Sequence, residues 1–385
     1  MKACIINIGN ELLDGKISNA NAEFIMNELA TIGIPVERQM IVADDKDEIK
    51  KALDFNKDYD LILTTGGLGT TDDDKSRETV EEYLLENKID HDLIEMKNTR
   101  GMFPGVYYSF KTGGIMIFPG PPREMNTMLR NNLDLLVDED LVTIRKTYRI
   151  SFLREHIIHD ILREHGVATD YVNTFIDSDQ SAYLKLYMED TSEEILRERF
   201  EKIDKIINEI FYPLIYTNED ITREQNLVKE LLEKNMTLSC AESYTGGKII
   251  SSLIEIPDTS KIIDQAYIVY NDEAKEEILK VSPSLIKEHG VVSKEVCGAM
   301  LDGLYDRSKS DICIATTGYA GPTGDVGNVY FGIRYKGKNH IFKKYMKYSR
   351  RWIMNKSKNY VVDYTHLIIN DLLDQAKDIL ENDLG

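Results

Sequence analysis

Ser243, Tyr270 and Lys275 have the side chains from which a covalent hydrolase can be built, and each stands at the end of an apolar run. Ser243 lies in AESYTGGKII (241–250), and the other two lie in YIVYNDEAK (267–275). A serine hydroxyl becomes a useful nucleophile only when a base accepts its proton. No histidine is close to position 243; the nearest downstream, His289, sits in KEHGVVS, so a Ser-His-Asp triad has little support from the sequence. A lysine base must fall from its usual value of about 10.4 through burial or nearby positive charge. Lys275 falls in the first turn of a predicted helix, where the partial positive charge favours a neutral amine, and Tyr270 could relay or orient the proton. On these residues alone a structural alternative stays open, in which Lys275 pairs with Glu242 or a neighbouring acid and Ser243 caps a helix.

A second candidate lies in DLILTTGGLGTTDDDKSRETV (60–80), where a buried strand runs through a glycine-rich turn into a helix. Gly66, Gly67 and Gly69 allow close backbone approach, and free amides at a helix start favour an anion such as phosphate. Neither GxGxxG nor GxxxxGK[ST] is present. The Asp72, Asp73 and Asp74 run would repel phosphate unless a divalent cation intervened, as in pyrophosphate chemistry; otherwise it is an acidic, solvated helix start.

The elements that must position these residues alternate. Strand-like KACIINIG, VERQMIVA, DLILTTGG and GGIMIFPGPP are interleaved with helical NANAEFIMNELATIG, DKDEIKKALDF and SRETVEEYLLEN. This rhythm predicts an α/β domain over 1–144 with a mostly parallel sheet and ligands beyond the strand ends. Residues 145–217 read as a small α+β linking domain. Residues 222–385 begin a second α/β pattern, including MTLSCAES, QAYIVY, DICIATTG and NVYFGIRYKG. The fold expected is two α/β sandwich domains joined by a small α+β middle domain.

Length of 385 residues favours several domains, and composition is that of a soluble globular chain, with no apolar run long enough for a membrane span. The N-terminus shows no signal-peptide pattern, so a cytoplasmic protein is expected. A net charge of −19 argues against direct nucleic-acid binding. Four separated cysteines (Cys4, Cys240, Cys297, Cys313) read as buried thiols. His156 and His159 share a helix face but lack a third metal ligand nearby.

Five ordered blocks in the first 125 residues, GNELLDG (9–15), NAN (19–21), VADD (42–45), TTGGLGTTDDDKS (64–76) and PGPPREM (119–125), resemble the molybdopterin-binding MogA/MoaB family in the version carried by the competence/damage-inducible CinA family. That resemblance implies a nucleotide or pterin site and metal-dependent hydrolysis of ADP-ribose to AMP and ribose 5-phosphate. By position it implies a divalent metal at Asp44, Asp73 and Asp74, and ligand contacts from Asn21, Gly66, Gly67, Gly69 and Ser76. Ser76 stands where threonine is usual, and Thr70 where proline is common.

AESYTGGKII, YIVYNDEAK, HGVVSKEV (289–296) and TTGYAGPTGDVGNVYFGI (316–333) follow in the order of the CinA C-terminal domain, which is similar to nicotinamide mononucleotide deamidase. The resemblance implies a Ser243–Lys275 dyad with Tyr270 beside it. Thr245, Gly246, Thr317 and Gly318 are candidates around the oxyanion, and Arg350 is the candidate for the substrate phosphate. Tyr244 replaces the family's usual cysteine, the loop after Pro322 is shortened, and the second arginine expected one helical turn after Arg350 and Arg351 is missing. A homodimer is the expected assembly. The rival readings are a pterin or nucleotide binder without catalysis, and a regulatory protein of DNA uptake or damage with an impaired deamidase.

Overall fold

The computed structural model describes residues 1–68, 75–137, 142–167, 171–176 and 181–382. The chain divides into two compact units, Met1–Arg145 with Tyr187–Phe200, and Lys146–Leu186 with Glu201–Gly385. Both are α/β.

In the first unit β1 (Ala3–Ile8), β2 (Val36–Val42), β3 (Leu61–Thr65), β4 (Asp92–Met96), β5 (Gly105–Phe110) and β6 (Gly113–Phe118) make one sheet in the order β2-β1-β3-β6-β5-β4. Strands β2, β1, β3 and β6 are parallel, while β5 and β4 run antiparallel at one edge. The central strands are apolar almost throughout because helices cover both faces. Alternation sends Ala3, Ile5, Leu61 and Leu63 to one core with Ala22, Ile25 and Leu29 of the Ala20–Thr31 helix. Cys4, Ile6, Ile8 and Ile62 go to the other, against Ile49, Leu53, Val80 and Tyr83. The antiparallel pair β4 and β5 was not foreseen from the sequence rhythm.

A four-stranded sheet follows, β7 (Val142–Ile150), β8 (Val172–Ile176), β9 (Ala182–Asp190) and β10 (Ile215–Thr217), in the order β10-β7-β9-β8. His156 and His159 lie on the Glu155–Glu164 helix, and no metal-ligand cluster of three or more occurs among the described residues.

In the second unit β11 (Leu238–Glu242), β12 (Ile263–Ile268), β13 (Ile312–Gly318), β14 (Asn328–Tyr335) and β15 (Lys338–Tyr345) form a sheet in the order β12-β11-β13-β14-β15. The first three are parallel and the last two antiparallel. Met300, Leu301 and Leu304 of the Lys294–Ser308 helix cover one face, packing on Ala241, Cys313 and Ala315. Tyr244, Val329, Met346 and Ile353 form a cluster that includes the Arg350–Ile369 helix. All four cysteines are free and buried, as expected. Among the described residues no helix is long and apolar enough to cross a membrane.

Candidate active site

Ser243 follows β11 directly, at the carboxyl edge of the parallel strands where ligands of α/β folds bind. Its backbone amide donates to the Thr316 carbonyl and hydroxyl, both at 3.2 Å, which fixes the turn against β13. Thr245 shares a 2.8 Å hydrogen bond with the same Thr316 hydroxyl. The positive φ values of Gly246 (63°) and Gly247 (90°) then turn the chain into the Lys248–Ile254 helix. Thr316 was not singled out from the sequence, because a buried threonine in an apolar strand looks like any other strand residue.

Gly247 is the N-cap residue of that helix, and the side chain that accepts its first amides is Glu242, not Ser243. Its buried carboxylate accepts the amides of Gly247 at 2.9 Å, Ile249 at 3.2 Å and Ile250 at 2.9 Å. A carboxylate at a helix start also meets the favourable end of the helix dipole. Glu242 therefore makes no pair with Lys275, and the Ser243 hydroxyl is left without a structural hydrogen bond among the described residues.

Lys275 is 1 % exposed and stands in the first turn of the Asp272–Leu279 helix, capped by Asn271. Its Nζ donates to the carbonyls of Val269 at 3.1 Å, Asn271 at 3.2 Å and Tyr270 at 3.4 Å. Val269 in turn donates its amide to the Glu242 carbonyl at 2.8 Å, so the segment holding Lys275 is bonded to the residue immediately before Ser243. Burial lowers the Lys275 pKa, opposed by Asp272 and Glu273; the nearer Asp272 oxygen lies 3.9 Å away. No hydrogen bond joins Lys275 to Ser243 in this conformation, and such catalytic contacts often tighten only around substrate.

The other candidates are placed as follows. Tyr270 meets Lys275 through its carbonyl, and its hydroxyl accepts from Arg350 at 2.9 Å. Thr317 is buried and its hydroxyl donates to the Val291 carbonyl at 2.7 Å, so its proton is unavailable to an oxyanion. The amide of Gly246 donates to the Ser243 carbonyl at 3.0 Å, whereas those of Tyr244 and Thr245 have no acceptor among the described residues. These two amides are left free to donate, whereas the Thr317 hydroxyl and the Gly246 amide are not. Gly318 closes β13 where a side-chain carbon would come within 2.7 Å of Val329 and 3.0 Å of Tyr244.

Tyr244 does not crowd the nucleophile with its ring. It is 3 % exposed, packs with Ala320, Val329, Met346 and Ile353, and donates to Ser357 Oγ at 2.7 Å. Arg350 also donates to the Gly321 carbonyl, so its guanidinium ties the Tyr270 segment to the loop between β13 and β14. Met354 stands one helical turn after Arg350, with its methyl 3.6 Å from where a side-chain carbon on Gly246 would lie.

In the first unit Gly66 (φ 100°) and Gly67 (φ 68°) follow β3. A side chain on Gly66 would strike the Ile8 carbonyl at 2.1 Å. Ser76 is fully buried and donates to the Gly66 carbonyl at 2.8 Å, so it holds the glycine turn. Asn21, 8 % exposed, donates to the Gly120 carbonyl at 2.8 Å, while its Oδ1 is buried without a partner among the described residues. Gly120 lies close to Gly66, which brings Asn21 to the same cradle. Asn7, missed from the sequence, links β1 to its neighbours by donating to the Met40 carbonyl and accepting from Thr65. Asp44 accepts the Asn10 amide at 3.2 Å. Gly69, Asp73 and Asp74 lie outside the described residues.

Residues 4–137 match the family model described as "Probable molybdopterin binding domain", and residues 220–368 match the CinA C-terminal domain. A CinA-like protein of Fusobacterium nucleatum is 33% identical over 401 residues, covering 93% of this chain and 96% of its own length. A relative in Clostridium novyi with a competence-damage inducible name is 32% identical over 379 residues, covering 88% and 91%. A CinA superfamily crystal structure from Escherichia coli shares 29% identity, covers 37% of this chain and 90% of its own, and has a TM-score of 0.36. With both domains matched in order and a relative aligned along nearly the whole length, this chain belongs to the CinA family.

Proposed function

We propose that the second unit is a serine–lysine amidohydrolase whose substrate is nicotinamide mononucleotide. The observation that carries this reading is the division of labour at the end of β11: Glu242 satisfies the helix amides, Ser243 keeps an uncommitted hydroxyl, and the Glu242 carbonyl is bonded to the segment that holds a buried lysine of lowered pKa. A nucleophile and a desolvated base are the two groups the reaction requires. The neutral Lys275 amine has two N–H bonds and keeps two of its three carbonyl contacts; its lone pair takes the Ser243 proton as the serine oxygen bonds to the carboxamide carbon. The Tyr244 and Thr245 amides meet the oxyanion. Collapse returns the proton to the departing nitrogen, releasing ammonia and leaving a nicotinate ester on Ser243. Water then attacks with Lys275 as base, giving nicotinate mononucleotide and free serine.

For the first unit the proposed ligand is a phosphate-bearing nucleotide, with ADP-ribose hydrolysis in the presence of a divalent ion as its reaction. Support comes from the glycine turn at Gly66–Gly67 and the unpartnered, buried Asn21 Oδ1. Among the described residues only Asp44 of the expected metal ligands can be placed, so no step is drawn through a metal.

The test of the amidohydrolase is ammonia release from nicotinamide mononucleotide by wild type, Ser243→Ala and Lys275→Ala. Turnover by wild type and loss in both variants supports it; absence of turnover by folded wild type overturns it. AMP release from ADP-ribose, lost in Asp44→Ala, tests the first unit separately.

A further inference from the structure

A cleft of about 450 Å³ opens from the catalytic turn and runs between two helices. Gly246, Gly247 and Lys248 line it on one side, and Trp352, Asn355 and Lys358 on the other. This volume is within the range of small-molecule sites. Its two lysines differ. Lys358 is engaged by the buried Glu224 carboxylate, whereas Lys248 has no ionic partner among the described residues. Glu255, also on the cleft, follows the same helix as Lys248 seven residues on, about 10 Å along the axis. An anion is therefore drawn to the Gly246 end and repelled at the far end. The helix amides cannot serve it, because Glu242 already takes three of them.

We propose that this cleft receives the phosphate-bearing end of the carboxamide substrate, with Lys248 meeting the phosphate and Trp352 walling the ribose. The proposal rests on Ser243 being the nucleophile, since Gly246, which lines the cleft, donates its amide to the Ser243 carbonyl. It gives this chain a cation for the phosphate although Met354, and not an arginine, stands one turn after Arg350.

Trp352 is the only tryptophan in the chain and is 38 % exposed, so its fluorescence reports the cleft directly. Ser243→Ala, which cannot turn substrate over, is titrated with nicotinamide mononucleotide and, separately, with nicotinamide riboside, which lacks the phosphate. Saturable quenching by the mononucleotide is expected. Adding Lys248→Ala should raise its half-saturation about tenfold, the scale of one lost charge-assisted contact, and leave the riboside curve in place. In the otherwise wild-type enzyme the same change should raise KM and hold kcat, with Lys248→Arg restoring KM. Mononucleotide binding that is insensitive to Lys248, or turnover without any change in Trp352 fluorescence, overturns the proposal while leaving the deamidase intact. Lys248-dependent quenching with no ammonia from wild type supports the cleft and overturns the deamidase reading instead.

Discussion

Arg350 donates to the hydroxyl of Tyr270 at 2.9 Å, joining residues 80 positions apart at the rim of the Ser243 site. Because Arg350 also reaches the Gly321 carbonyl, it spans two loops on either side of the carboxyl strand ends. Tyr270→Phe removes the acceptor but keeps the backbone carbonyl that meets Lys275. A loss of about tenfold in kcat/KM is expected, the worth of one hydrogen bond to a charged group. The pH profile should not move. A shifted profile would show that the phenol acts on Lys275 after all.

In the proposed mechanism Lys275 sets that profile. Only the neutral amine accepts a proton, and burial lowers its pKa, so the deamidation rate should rise with pH and level off below the ordinary lysine value of about 10.4. Asp272 works in the opposite direction, stabilising the charged form from 3.9 Å. Asp272→Asn should therefore shift the rising limb to lower pH. Stability has a matching sign. The unfolded chain holds the Lys275 proton more tightly, so stability is fullest above the unfolded pKa and is lost as pH falls through the folded one. Lys275→Ala should abolish turnover by about 10³-fold or more, as read by ammonia release.

Glu242 and Ser243 are neighbours with opposite expected phenotypes. Glu242→Ala leaves two buried helix amides and one partly buried one without their acceptor and should cost about 3 kcal/mol in denaturant unfolding. Ser243→Ala removes a hydroxyl that no structural bond uses, so stability should stay within about 0.5 kcal/mol while activity disappears. A large destabilisation in Ser243→Ala would return that residue to a structural role.

The alternation of apolar runs with helical periods made the α/β class legible, because strands covered on both faces must be apolar and short. Edge strands were harder. Asp92–Met96 is mostly exposed, and Lys338–Tyr345 carries three lysines, so neither reads as a strand until it is paired with its neighbour. At the site, residue types beside glycine turns and strand ends made Ser243 and Lys275 candidates, and only the family resemblance joined them as a dyad. Glu242 was not, since its function depends on amides five to eight residues away that only the turn at Gly246–Gly247 brings back to it. Hydroxyl commitments were equally invisible. Thr317 and Ser76 look like ligand contacts in sequence, and each spends its proton on a backbone carbonyl.

Tyr244 offers a test of whether its departure from the family's cysteine bears on chemistry or on packing. Its phenol is buried, which pushes its pKa upward and keeps it neutral, and it donates to Ser357 on the Arg350–Ile369 helix. Tyr244→Phe removes only that bond and should cost about 1 kcal/mol, with kcat unchanged. Tyr244→Cys restores the family residue but empties most of a ring from the cluster of Ala320, Val329, Met346 and Ile353. A cost of about 3 kcal/mol is expected from such a cavity. Since Arg350 and Trp352 start the same helix, its loosening should appear as a raised KM before any loss of kcat. Thermal unfolding and steady-state kinetics of the pair of variants separate the two roles: a Cys variant that gains kcat without losing stability would place Tyr244 in the nucleophile's surroundings, and a Phe variant that loses kcat would give the hydroxyl a part in the reaction.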